Sequence, residues 1–184
     1  MVCVVCHRPT FDSWICKECA PPYERAWVVG ERSGVLQRLI GLYKFERARA
    51  AYKPLADMLS EVLPELPSNT VIVPVPTISS HIRERGYDHM LLISRRIARQ
   101  KGLSLKRLLI RTVNTKQHQA SAAKREAQSR VAFAVKGNID PNVPYLLVDD
   151  VVTTGSTIKY AARTLRRAGA KHVWVAIIAR QTLD

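Results

Sequence analysis

The run Tyr145-Leu146-Leu147-Val148-Asp149-Asp150-Val151-Val152-Thr153-Thr154-Gly155-Ser156-Thr157 constrains this chain more than any other stretch. It opens with apolar residues of strand character, passes two adjacent carboxylates and ends in a small, hydroxyl-rich loop. An amphipathic run from Ile158 to Ala168 follows directly, so the local order is strand, loop, helix. In an open α/β sheet, ligands bind at the edge where such strands end. Thr153 to Thr157 can point backbone N–H groups and hydroxyls into one cup, with the positive end of the helix behind it. Gly155 allows the positive φ and the close approach that a tight cup needs. Such a cup is a phosphate cradle. Asp149 and Asp150 repel phosphate and suit neighbouring hydroxyl groups, and a phosphate beside a vicinal diol describes a ribose 5-phosphate. The competing reading is a buried strand, a polar turn and a helix capped by Ser156 or Thr157. Two adjacent carboxylates are costly to bury without a partner, which favours the ligand.

Charge placement points to polyanions. The formal net charge is +14. Between His81 and Lys136 there are fourteen Lys and Arg against three Asp and Glu, while the rest of the chain holds fifteen against twelve. Basicity therefore belongs to one segment, which suits diphosphate, nucleic acid or both. The 184 residues suffice for one α/β domain with a small appendage. No run of eighteen apolar residues occurs, so no membrane span is expected. The first residues lack the apolar core of a signal peptide, and the cysteines are expected to face a reducing, cytoplasmic compartment.

All four cysteines lie in residues 1–20 as two C-x2-C knuckles, Cys3 with Cys6 and Cys16 with Cys19. Two such knuckles place four thiolates around one tetrahedral Zn²⁺, leaving no open position, so the ion is expected to be structural. The rival is a redox pair, but that motif belongs within a βαβ unit. Pro21-Pro22 marks the join, giving a zinc ribbon over 1–20 and a second domain over 21–184.

Further along, Ala26 to Val29 reads as a short strand, Gly34 to Tyr43 as a helix capped by Ser33, and Ala51 to Leu63 as a second helix. Tyr43, Lys44 and Tyr52 can be ligand contacts, but such residues are more often half-buried packing groups. Thr70 to Val75 is an apolar strand running into Pro74-Val75-Pro76-Thr77, with His81-Ile82-Arg83-Glu84-Arg85-Gly86-Tyr87 soon after. Arginines after a strand end offer planar, paired donors to phosphate oxygens, which makes Arg83 and Arg85 a second anion site; otherwise they are solvated helix residues. Asp88 to Lys101 reads as a helix stopped by Gly102, and Leu108 to Val113 as a strand. Asn114 to Arg130 is rich in Gln, Ala, Ser, Lys and Arg but has no apolar stripe, and is expected to be a mobile basic excursion over a ligand. Val131 to Val135 and Lys171 to Ala179 are further strands, with a turn over Gly137 to Pro144.

These features together resemble the ComF family, bacterial phosphoribosyltransferase-like proteins associated with DNA uptake in natural competence. The resemblance covers nearly the whole chain. It rests on the four cysteines, Pro74-Val75-Pro76, Arg83-Glu84-Arg85-Gly86-Tyr87, Gln117 eight residues before Arg125, Phe133, and the complete D-D-V-x-T-T-G-x-T signature. Asp88-His89 stands where the family usually has Asn-Gln, His81 where a basic residue is common, and Ala120 where Leu is usual. The resemblance implies a type I phosphoribosyltransferase fold, a central and mainly parallel sheet flanked by helices. It implies phosphoribosyl diphosphate (PRPP) as ligand, with Mg²⁺ held mostly by ligand oxygens and water. Thr153, Thr154, Gly155, Ser156 and Thr157 would hold the 5-phosphate, with Val151 and Val152 before them also in the PRPP-binding run. Asp149 and Asp150, the candidate catalytic pair, would hold the ribose hydroxyls. Val75, Pro76 and Thr77 with Arg83 and Arg85 would line the diphosphate.

The expected function is PRPP binding combined with electrostatic handling of single-stranded DNA during DNA uptake. Lys116, Gln117, Lys124, Arg125 and Arg130 form the lid and DNA strip, and an ATP-driven translocase or other competence protein is a candidate partner. The alternative is an active transferase in nucleobase salvage, in which a base nitrogen displaces diphosphate from the ribose C1. A third is a PRPP sensor. Aromatic stacking platforms are sparse in the basic segment, so any DNA contact is expected to be electrostatic and indifferent to sequence.

Overall fold

The computed structural model describes residues 3–4, 6, 8–10, 15–46, 48–112 and 132–181. β1 (Arg25–Glu31) leads into α1 (Gly34–Phe45), and a single 3-10 turn (Arg49–Ala51) leads into α2 (Tyr52–Val62). β2 (Val71–Pro74) is followed by α3 (Ser79–Arg85), α4 (His89–Lys101) and the short β3 (Ser104–Leu105). β4 (Leu109–Thr112), β5 (Ala132–Val135), β6 (Pro144–Val152), α5 (Ser156–Arg167) and β7 (His172–Arg180) complete the order.

Five strands form one parallel sheet in the order β1-β7-β6-β2-β3. β4 and β5 pair antiparallel beside it. β6 and β7 occupy interior positions and are covered on both faces, which is why they read as near-continuous apolar runs without alternation. Pro144 opens β6 and Pro74 closes β2, the positions where a missing N–H disturbs a ladder least.

The two sheet faces carry separate cores. On one, Leu146 and Val148 of β6 pack with Leu36 and Ile40 of α1, Leu55 and Leu59 of α2, and Ile93 and Ile97 of α4. On the other, Leu147 packs with Ile158, Ala161 and Leu165 of α5, and Val4 and Tyr23 of the N-terminal segment join the same cluster. Residues 147 and 146 thus face opposite layers, as the two-residue period of a strand requires. Among the described residues, no helix is long and apolar enough to cross a membrane.

Most expected elements form within a residue or two of their expected ends. The strand expected over Leu108 to Val113 is Leu109–Thr112, and Val113 and Val131 lie outside the described residues. Arg83 and Arg85 lie on the short helix α3, closed by Gly86 at φ +81°. β3 escaped sequence reading because two residues cannot display an alternation. Asn114 to Arg130, with Lys116, Gln117, Lys124, Arg125 and Arg130, lies outside the described residues.

Candidate functional site

The parallel strands β2, β6 and β7 all end at one sheet edge, and the site is built there. β6 delivers Asp149 and Asp150 to that edge, both buried at 8% and 7% exposure. After Val152 the chain turns through Thr153, Thr154 and Gly155 into α5. Gly155, at φ +72°, is the residue that caps the helix, not Ser156 or Thr157 as in the competing reading. It offers no side chain to the helix N-terminus, and the first turn of α5 contains no acidic residue. Thr153, Thr154 and Ser156 are exposed, with Thr154 Oγ1 2.9 Å from Ser156 Oγ. Ser156 N donates to Thr154 Oγ1 at 3.4 Å, and the loop's N–H groups, hydroxyls and positive helix end suit it to an anion.

Beside the carboxylates lies a cavity of about 180 Å³. Val75, Pro76 and Thr77 form one wall, following β2. Five nitrogen-bearing side chains, Lys44, His81, Arg85, His89 and Arg111, line it together with the two carboxylates. The expected residues Val75, Pro76, Thr77, Arg85, Asp149 and Asp150 therefore meet in one cavity. Arg83 is exposed on α3 and is not among the cavity-lining residues. The loop Thr153 to Thr157 sits at the strand end next to the cavity and does not line it.

The two carboxylates differ sharply. Lys44 Nζ lies 2.7 Å and His89 Nε2 2.6 Å from Asp150 Oδ2, and the backbone N–H of Val151 donates to Asp150 Oδ1 at 2.6 Å. Burial pushes the Asp150 carboxyl up, but the His89 hydrogen bond and the Lys44 charge outweigh it and hold the group below the ordinary carboxylate range. Asp149 Oδ1 accepts the backbone N–H of Asp150 at 3.0 Å. Burial, and then the charge of Asp150, push its carboxyl upward. Arg111 stacks on Phe133 with its guanidinium carbon 5.4 Å from the ring centroid and donates to Pro76 O at 2.6 Å. Burial lowers its pKa, while both aspartates act in the opposite sense. Asp88 serves as the N-cap of α4, accepting from Leu91 N at 3.2 Å and from Thr77 Oγ1 at 3.0 Å. Its charge is thus spent on a helix start and a hydroxyl at the cavity wall.

His89 and Arg111 were not singled out as site residues by sequence, and Lys44, a candidate ligand contact there, reads as a half-buried packing group, although each carries a signal. His89 begins the buried stripe His89, Ile93, Ile97 of α4, so a ring nitrogen starts an apolar face. Arg111 shares the inward face of β4 with the buried Leu109. Lys44 follows Tyr43, the last buried residue of α1.

A second constellation lies in the N-terminal segment. The sulfurs of Cys3, Cys6, Cys16 and Cys19 all lie within 4.8 Å of one another. A ZnS₄ tetrahedron with bonds of about 2.3 Å has edges of roughly 3.8 Å, so the set fits that ion. Cys6 Sγ and Cys16 Sγ are 3.5 Å apart, and the Cys16 N–H donates to Cys3 Sγ at 3.3 Å. All four are free of disulfides. Burial raises the Cys6 thiol, yet hydrogen bonds from Arg8 outweigh it and bring the group to about 6. Burial and the neighbouring sulfurs push Cys19 up. Four crowded sulfurs, none in a disulfide, are a donor set that a divalent cation completes.

The phosphoribosyl transferase domain family matches residues 91–182, which include β6, the Asp pair and the Thr153–Thr157 loop. DNA utilization protein YhgH of Salmonella typhi is 31% identical over 181 residues, covering 94% of this chain and 79% of that protein. Competence protein F of Haemophilus influenzae is 28% identical, covering 90% of this chain and 76% of that one. Competence protein ComFC of Bacillus subtilis is 26% identical, covering 91% and 72% respectively. The domain match makes the parallel sheet and its flanking helices a type I phosphoribosyltransferase fold. With these relatives spanning nearly its full length, the chain belongs to the ComF family of phosphoribosyl transferase domain proteins.

Proposed function

We propose that this chain binds PRPP with Mg²⁺ and works in DNA uptake. The observation that best supports PRPP is the position of Asp149 and Asp150, between the Gly155-capped N-terminus of α5 on one side and a cation-lined cavity on the other. In this reading the 5-phosphate sits on the N–H groups and hydroxyls of Thr153 to Thr157. The ribose hydroxyls are held by the two carboxylates. The diphosphate lies along Val75, Pro76 and Thr77, within reach of Arg85, Lys44 and Arg111. Arg83, exposed on α3, is at most a peripheral contributor to the field. Mg²⁺, when bound, offsets diphosphate charge and is carried mainly by ligand oxygens and water. Cations around a leaving diphosphate are the equipment of a transferase, so release of diphosphate is the activity to assay.

The DNA half rests on the names of the relatives and on the basic segment between His81 and Lys136. Fourteen cations exceed the needs of one diphosphate. Lys116, Lys124, Arg125 and Arg130 are the proposed phosphate contacts, with Gln117 and Arg125 also closing over the ligand. The ribbon of 1–20 holds a structural zinc and presents a platform for a protein partner such as an ATP-driven translocase.

Calorimetric titration with PRPP, with and without Mg²⁺, followed by a diphosphate-release assay across nucleobases, tests the proposal. Mg²⁺-dependent binding is the expected result. Absence of PRPP binding under both conditions would contradict it, and rapid diphosphate release with one base would favour nucleobase salvage.

A further inference from the structure

His89 stands at the first turn of α4, 6% exposed, between two groups that the PRPP reading assigns to different parts of the ligand. Its Nδ1 lies 3.0 Å from Arg85 Nη1 and 3.2 Å from Thr77 Oγ1. Its Nε2 lies 2.6 Å from Asp150 Oδ2. A guanidinium has donors and no acceptor, so Nδ1 must accept from Arg85. The ring proton then sits on Nε2, where it donates to the Asp150 carboxylate. The tautomer is set by partners on two different elements, Arg85 on α3 and Asp150 on β6.

The contact belongs to a closed circuit. Lys44 Nζ shares Asp150 Oδ2 with the imidazole, at 2.7 Å. Arg85 Nε donates to Lys44 O at 2.7 Å. The ring runs Arg85, His89, Asp150, Lys44 and back to Arg85, tying together α1, α3, α4 and β6. Tyr43 braces it: its hydroxyl donates to His89 O at 2.8 Å, and its ring meets the imidazole edge-on at 6.1 Å. With Nε and one Nη1 hydrogen occupied, the remaining N–H groups of Arg85 keep a fixed orientation along the cavity.

We propose that His89 is a positioning residue that couples the arginine half of the site to its carboxylate half, so that Arg85 and Asp150 are presented to one ligand as a unit. This deepens the PRPP reading and rests on it. A ligand that spans both halves gains from the coupling, whereas inorganic diphosphate, which reaches one half, gains less.

Glutamine at position 89 can imitate both contacts, with its amide oxygen accepting from Arg85 and its NH₂ donating to Asp150. Leucine has similar bulk and can make neither. His89→Gln is expected to bind PRPP within about threefold of the unmodified protein, and His89→Leu at least tenfold more weakly, the range of one charge-assisted hydrogen bond. Diphosphate alone should be affected less by His89→Leu than PRPP is. In a cycle with Arg85→Ala, the doubly substituted protein should lose less than the product of the two single losses. A second measurement needs no variant: long-range ¹⁵N–¹H correlation spectra of the imidazole should find His89 protonated on Nε2 alone. Equal PRPP affinity of His89→Leu and the unmodified protein, multiplicative losses in the cycle, or a proton on Nδ1 would each overturn the coupling while leaving PRPP binding intact. An unmodified protein that takes up no PRPP would overturn the binding reading and this inference with it.

Discussion

At the scale of single residues, Asp149 and Asp150 are chemically alike and energetically opposite. Asp150 receives Lys44 and His89 directly. Its carboxyl is held below the ordinary range, so its stabilising contribution is present above that range and is lost as pH falls through the depressed folded value. Asp149 is pushed up by burial and by its neighbour. Its favourable contribution is present below the ordinary aspartate range and is lost as pH rises through the raised folded value. Asp149→Asn preserves an oxygen for the Asp150 N–H and removes the ionisation. It is expected to raise stability in neutral and mildly alkaline buffer by roughly 1–2 kcal/mol. Asp150→Asn leaves Lys44 and His89 against an amide and is expected to cost about 3 kcal/mol. Urea denaturation of both variants across the pH range reads the two signs, and equal destabilisation would contradict the account. Changing both should weaken PRPP binding by roughly 3 kcal/mol or more, since charge-assisted hydrogen bonds contribute about 1.5–3 kcal/mol each. The carboxylates could be found by sequence because two acids at the end of an apolar run break its pattern. His89 and Arg111 could not, and Lys44 could not be told from a packing residue, because their meeting depends on how α1, α4 and β4 converge on one edge. No local periodicity encodes that convergence.

At the scale of elements, the strand, loop and helix of residues 144 to 167 were the most legible. β6 needed apolar residues on both faces, and α5 shows the spacing Ile158, Ala161, Ala162, Leu165 on its buried side. The Ser156 or Thr157 cap of the competing reading does not form; Gly155 takes that position. Gly155 holds φ +72°, so Gly155→Ala should lower stability by about 1 kcal/mol and weaken ribose 5-phosphate binding by narrowing the loop. Thermal melts with and without the ligand read both effects. The N-terminal segment makes a different claim. Val4 and Tyr23 share a core with Leu147 and the buried side of α5, so a zinc site at Cys3, Cys6, Cys16 and Cys19 is coupled to the main sheet. About one zinc per chain is expected after purification without chelator. Stripping it should lower the melting midpoint by roughly 4–8 °C, the shift for a loss of about 2 kcal/mol in a domain of this size. An unchanged midpoint after metal loss would contradict that coupling, and a disulfide with no metal would contradict the zinc.

At the scale of the whole molecule, fold class was legible because alternating strands and helices with β6-type runs admit few arrangements other than a covered parallel sheet. The division of labour across that sheet was less so. The excess charge lies in one segment of sequence, yet part of it, Arg85 and Arg111, turns inward to the cavity, and Arg96 pairs with Asp57. Net charge alone cannot separate these uses. The DNA proposal rests on the remainder. Replacing Lys116, Lys124, Arg125 and Arg130 together should flatten the log–log salt dependence of single-stranded DNA binding by roughly two to three units, at about 0.7 per phosphate, with little change between sequences of equal length. A quadruple variant that loses PRPP but binds DNA normally would assign those residues to ligand closure alone.

The central claim is that one sheet edge holds the phosphate, ribose and diphosphate of PRPP in that order. A crystal soaked with PRPP and Mg²⁺ tests it most directly. The account predicts the 5-phosphate on the N–H groups of Thr153 to Thr157, the ribose hydroxyls on Asp149 and Asp150, and the diphosphate beside Thr77 and Arg85. A bound phosphate elsewhere, with that loop empty, would contradict it.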